Sequence, residues 1–130
     1  MTLDELLASM PFAVHAGVEL TAADKGECRG RLAWDPARVT VGGAMHGGAL
    51  MTLADSVGAV CAFLNLPPGA GTSTLSSATN LLRAVREGYV EAVSHPLHVG
   101  RSTIVVVTEV RDAAGKLVSS TTQTQAVLGG

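Results

Sequence analysis

One acid stands in a stretch that otherwise carries no charge. Between Arg38 and Arg83 the only Asp, Glu, Lys or Arg is Asp55. It falls in the middle of an apolar segment with helical spacing, past the first turn, where the helix dipole no longer favours a negative charge. A buried lone carboxylate must be hydrogen-bonded or take up a proton, and Asp is a mediocre helix former. A purely structural sequence would place Ala or Leu there. Asp55 is therefore a candidate nucleophile or general base; its structural alternative is a bond to a Ser hydroxyl or a water-filled gap.

Nine residues upstream, the run Met45-His46-Gly47-Gly48 opens the same helix. Two glycines weaken a helix by up to about 1 kcal/mol each relative to Ala. They leave the first backbone N–H groups bare, and these groups have no intrahelical acceptor and carry the positive end of the dipole. Such donors suit the oxyanion that forms when a carbonyl is attacked. A flexible, capped loop end is the alternative. Gly47 and Asp55 are eight residues apart, roughly 12 Å along one helix. An attacking group and an oxyanion donor must both lie about 3 Å from the reacting centre. One helix cannot supply both to one carbonyl, but two antiparallel copies about a two-fold axis can.

The elements that position these groups follow from periodicity. Residues 2–9 form a short helix, Val18–Ala23 a strand, and Glu27–Trp34 a half-buried strand with Cys28, Leu32 and Trp34 inward. From His46 to about Leu64, the residues Leu50, Leu53, Ala54, Val57, Val60, Cys61 and Leu64 make one helical stripe. The opposite face, with Met51, Gly58, Ala59, Ala62 and Phe63 around Asp55, is also uncharged, which marks a buried helix. Strands follow over Thr72–Leu82, Tyr89–Val99, Arg101–Arg111 and Lys116–Leu128, read as a four-strand meander. Pro96 implies an edge or a bulge, and Gly115 a hairpin turn. The expectation is α+β: an antiparallel sheet of five to six strands against one long central helix, a single domain over 1–130, with a second copy hiding the helix's spare face.

Composition narrows the class. Apolar types reach 47% but aromatics only 3%, so the core must be Val, Leu and Ala. A net charge of −2 gives no electrostatic reason to expect nucleic acid or an anionic membrane. The acidic start Met1-Thr-Leu-Asp-Glu-Leu-Leu does not read as a secretory signal, and no apolar run is read as long enough to span a bilayer. Cys28 and Cys61 lack metal-like spacing and are expected as reduced thiols in a cytoplasmic protein, with no metal and no cofactor.

The segment His46-Gly-Gly-Ala-Leu-Met-Thr-Leu-Ala-Asp55 resembles the signature of hotdog-fold thioesterases of the phenylacetate-pathway type, including the glycine-to-acid spacing. Ser76–Gly88, His98–Thr103 and Arg111–Lys116 are similar to later segments of that family and of the 4-hydroxybenzoyl-CoA thioesterases. The likeness runs from about Val41 to the C-terminus. It implies a hotdog fold, a homodimer that forms the active site and pairs into a homotetramer, and hydrolysis of an acyl-CoA thioester.

By position, the resemblance makes Gly47 the N–H donor to the thioester oxygen and Asp55 the nucleophile or general base. His46 would organise the loop or lie near the thioester; its alternative is a helix cap. Gly48 and Met51 would line the substrate site. Arg83 and the turn Gly100-Arg101-Ser102 match places where relatives hold the coenzyme A nucleotide; solvated surface charge is the alternative. Ser73, Thr74, Ser76 and Ser77 are candidates to hold a water, with the Thr74–Ser77 region favoured. The chain departs from its relatives at Ala59, where some carry a helper Thr, and at Ala84, where the motif has Pro. The acyl group is expected near Met51, Gly58 and Ala59 as an aryl, arylacetyl or medium-chain group. An acyl-CoA hydratase or dehydratase on the same fold, or a non-catalytic acyl-CoA-binding module, are the competing readings.

Overall fold

A computed structural model describes residues 1–129. The chain runs through α1 (Leu3–Ala8), α2 (Pro11–Ala16), β1 (Glu19–Ala23), β2 (Cys28–Ala33), a short 3-10 turn (Pro36–Arg38), α3 (Gly47–Leu64), β3 (Ala70–Leu81), β4 (Tyr89–Val99), β5 (Thr103–Asp112) and β6 (Leu117–Gly129). All strands join one antiparallel sheet in the order β1-β2-β4-β5-β6-β3. This is the α+β hotdog arrangement, six strands against one long helix.

The helix α3 lies on the sheet through the stripe read from the sequence. Leu53, Ala54, Val57 and Cys61 are fully buried, and Leu50 and Val60 nearly so. Their partners include Leu32, Val90, Ala92, Ile104 and Val106 from three strands, β2, β4 and β5. Each fully buried Val, Leu or Ile contributes about 1.5–3 kcal/mol. The approach is close: a Cβ on Gly30 of β2 would stand 2.6 Å from Val57 Cγ2, so only glycine lets the helix sit that low.

Three expectations are corrected. The last four strands are not a simple meander. β4, β5 and β6 are consecutive neighbours, but β3 pairs only with β6 at the far edge. The segment between β3 and β4 therefore crosses about 14 Å of sheet, three strand spacings. Pairing β3 at an edge suits its mostly exposed side chains, which have no second neighbour strand to meet. A second helix, α2, follows α1, with Pro11 at its start and Gly17 in the left-handed conformation (φ 94°) at its end. It was not anticipated. Finally, α3 with its 18 residues is long and apolar enough, by length and composition alone, to cross a bilayer. Its packing against the sheet makes it a core helix instead.

The other local signals hold. Gly115 takes φ 83° in the β5–β6 turn. Pro96 lies at a register shift of the β4–β5 ladder, and β2 stops pairing with β4 at Ser94, so its missing N–H breaks no bond to β2.

Candidate active site

The start of α3 is built around His46. Its backbone is extended (φ −60°, ψ 134°), and its side-chain Nδ1 accepts from the Gly48 N–H at 2.8 Å. That makes His46 the helix cap. With Nδ1 accepting, the ring nitrogen that carries the hydrogen is Nε2. Ala49 and Leu50 N–H groups both reach the His46 carbonyl. Gly48, expected to offer a bare N–H, thus has it taken. Gly47 is different: among the described residues no acceptor meets its N–H. It is the one free donor of the glycine pair.

Gly47 opens into a shallow groove of about 360 Å³ that also holds Leu50, Leu81 and Arg83. Leu81 Cδ1 lies 2.7 Å from where a Gly47 Cβ would be, so a side chain here would press on the groove wall. Arg83, exposed, lines the same groove as Gly47.

Asp55 sits two turns further along and opens elsewhere. Its groove, about 480 Å³, is walled by Met10 and Phe12 of the α2 segment, Met51 and Thr52 of α3, and Ser77 of β3. The carboxylate Oδ1 accepts from Gln123 Nε2 at 2.8 Å, and no other hydrogen bond reaches it among the described residues. The expectation of a buried acid is corrected for the single chain: Asp55 is exposed, with Met51 (44%) and Phe63 (43%) on the same uncovered face. The surrounding protein still desolvates the carboxyl enough to raise its pKa above the usual aspartate value, against the lowering effect of the Gln123 bond.

Gln123 is fully buried, and among the described residues its Oε1 has no partner. A buried, unmet polar atom costs about 1–3 kcal/mol. It belongs to an inward-facing polar set on β4, β5 and β6 that includes Ser94, Thr108, Ser119, Thr121 and Gln125. Ser77 is the direct cross-strand partner of Gln123, which puts both on the helix side of the sheet. Ser76, the next residue along, alternates away and does not line the Asp55 groove. Thr74 is committed to Gln125, accepting from Nε2 at 2.9 Å. Of the candidates on β3, Ser77 is thus the one that lines the Asp55 groove.

Arg101 and Ser102 lie in the exposed β4–β5 turn and join neither groove; the Ser102 carbonyl accepts from Val127 N–H at 2.9 Å, which fastens the turn to β6. Beyond Asp55, Ala59 and Phe63 continue its helix face into an open apolar groove of about 280 Å³, also lined by Met1, Leu6 and Met10. Met10 is shared between this groove and the Asp55 groove. Gly58, expected at the substrate, is instead buried beneath Gln123. Gln123, Met10 and Phe12 are the site residues that sequence reading missed. The Met10-Pro11 step was the available signal for α2; nothing in hydropathy marks Gln123.

Cys28 and Cys61 are free and buried. Contact with Cys28, together with burial, pushes the Cys61 thiol upward. Among the described residues no three His, Cys, Asp or Glu side chains gather as a metal site would need.

Comparison with known proteins places this geometry in context. Residues 42–119 match the family model described as the Thioesterase superfamily. A Vibrio cholerae relative is 40% identical over 85 residues, covering 65% of this chain and 57% of its own length. The 1,4-dihydroxy-2-naphthoyl-CoA hydrolase of Escherichia coli is 37% identical over 86 residues, 66% of this chain and 63% of that protein. The chain thus spans less than two thirds of either curated relative. A crystal structure of a thioesterase from Haemophilus influenzae superposes with a TM-score of 0.92 at 29% identity, over 99% of this chain and 92% of that one.

Proposed function

The chain belongs to the thioesterase superfamily, and we propose that it hydrolyses acyl-CoA thioesters at a site completed by two protomers. One observation carries this reading. The free Gly47 N–H and the Asp55 carboxylate lie on one helix but open into separate grooves, so each protomer holds two unfinished halves. A two-fold related copy, its α3 antiparallel, brings the partner's Gly47 to Asp55 and closes both halves at once.

In that arrangement Asp55 attacks the thioester carbonyl, or takes a proton from a water that does so. A raised pKa suits the second role, because a stronger base accepts the proton more readily. Ser77 donates to or holds that water. The partner's Gly47 N–H stabilises the oxyanion, the C–S bond breaks, and the coenzyme A thiolate leaves and is protonated; where Asp55 is itself the nucleophile, a water then hydrolyses the acyl–Asp55 anhydride to release the acid and free the carboxylate. His46 Nε2–H is a donor only, since Nδ1 is committed to the Gly48 cap. It can polarise a carbonyl but has no free lone pair to abstract a proton, which argues against a hydratase built on the same groups.

The acyl group extends along the apolar groove beyond Asp55, past Ala59 to Phe63. Its walls favour an aryl, arylacetyl or medium-chain group. Arg83 beside Gly47, and Arg101 with Ser102 at the β4–β5 turn, meet the coenzyme A phosphates. The site needs no cofactor, and the dimer pairs further into a tetramer in the cytoplasm. The test is a panel of aryl- and alkanoyl-CoAs, read by thiol release, on wild type and Asp55→Asn. Hydrolysis that falls at least about tenfold, 1.4 kcal/mol or more in the barrier, supports the reading. Unchanged hydrolysis in folded Asp55→Asn removes Asp55 from the chemistry.

A further inference from the structure

Gln123 contributes nothing to the apolar core that a leucine would not contribute better. Its amide is fully buried, and among the described residues its Oε1 is orphaned and its Nε2 has one acceptor, Asp55 Oδ1. Its place is made by a second concession. A Cβ on Gly58 would overlap Gln123 Oε1 and stand 3.0 Å from its Cδ, so the amide occupies the slot that the glycine leaves. Glycine in a helix interior is itself destabilising. Two unfavourable choices, on α3 and on β6, have one product: a rigid donor aimed at Asp55.

We propose that Gln123, seated against Gly58, is the positioning residue for Asp55, fixing Oδ1 so that Oδ2 is presented to the groove. The inference rests on the reading of Asp55 as the reactive carboxylate. A surface aspartate on a helix samples several χ1 and χ2 settings; one hydrogen bond from a buried, immobile amide selects a single setting. Ser77, paired across the ladder with Gln123, is held in register with the same amide. The backbone of β6 therefore sets the spacing between the carboxylate and its hydroxyl neighbour.

The charge on Asp55 feels few other groups. Its groove is walled by Met10, Phe12, Met51, Thr52 and Ser77, none of which titrates in the working range. From α2, His15 opens into the neighbouring groove with His46. Gln123 is the neutral donor from β6, and burial is the only other influence on the carboxyl. Removing the donor therefore has a signature distinct from a loss of packing.

The experiment compares wild type with Gln123→Met, which keeps chain length and fills the slot without a donor, and with Gly58→Ala, which displaces the amide from the other side. Folding is checked by circular dichroism. The expected result is a fall in kcat of about ten- to a hundredfold in both variants with KM changed far less. The acid limb of the kcat/KM profile moves to higher pH. The Asp55 carboxyl, followed by 13C NMR titration without any substrate, shifts in the same direction. A folded Gln123→Met with unchanged kcat and an unmoved Asp55 titration overturns the proposal. Should Gly58→Ala not fold, Gln123→Met carries the test alone. Failure of the Asp55 reading is distinguishable, because Asp55→Asn would then retain hydrolysis whatever stands at 123.

Discussion

Gly47 and Asp55 share one helix, yet within a protomer they face different grooves, Gly47 with Arg83 and Asp55 with Ser77. Eight residues of α-helix separate them by roughly 12 Å, several times the reach of a reacting carbonyl. Both groups are prepared for use: the Gly47 N–H is unbonded, and the Asp55 carboxylate is held by a single amide.

Ser77 and Ser76 separate the two faces of β3. Ser77→Ala is expected to lower kcat about tenfold by removing the hydroxyl beside Asp55. Ser76→Ala, on the outward face, stays within about twofold of wild type. Steady-state kinetics on the two single variants distinguish these outcomes, and equal losses would contradict the assignment.

Asp55 also leaves a mark on stability. Its folded pKa is raised, mainly by desolvation, so the native state holds that proton more tightly than the unfolded chain does. The stability this proton contributes is complete below the unfolded aspartate pKa and is lost as pH rises through the higher folded value. Asp55→Asn has no such loss. Denaturant melts should show the variant gaining on wild type as pH climbs from about 3 towards 7. A constant difference across that range would count against a desolvated carboxyl.

His46 is expected to matter first as a cap. His46→Ala removes the acceptor for the Gly48 N–H and costs about 1 kcal/mol, lowering Tm by about 4 °C. His46→Asn supplies another side-chain acceptor and should recover most of that stability. Differential scanning calorimetry reads both. If Asn rescues nothing, the capping bond is not what His46 contributes.

Much of this was legible in the sequence because helix and strand periods were clean. The α3 stripe from Leu50 to Cys61 and the solitary Asp55 gave the central helix and its acid, and the 12 Å spacing gave the need for two chains. The order of strands was not legible. Periodicity says which residues form a strand but not which strands pair, and β3 moved to the far edge beside β6. Gln123 was invisible for a physical reason. The inner face of β6 is polar at Ser119, Thr121, Gln123 and Gln125, so alternation of hydropathy points the wrong way there. The walls of the Asp55 groove were not legible either, because they come from the α2 segment and β3, far from Asp55 in the sequence.

The most direct test of a shared site is complementation between two inactive chains. Asp55→Asn lacks the acid. Gly47→Pro lacks the N–H yet fits the first helical position, where proline's fixed φ is tolerated, with the flexible end of Leu81 yielding. Unfolded together and refolded at equal ratio, half the dimers pair one of each, and one of their two sites is intact. Activity should return to about a quarter of the wild-type level in the mixture, from near zero in either variant alone. A mixture as inactive as its components, with mixed dimers shown to be present, would place both groups in one chain and contradict the account.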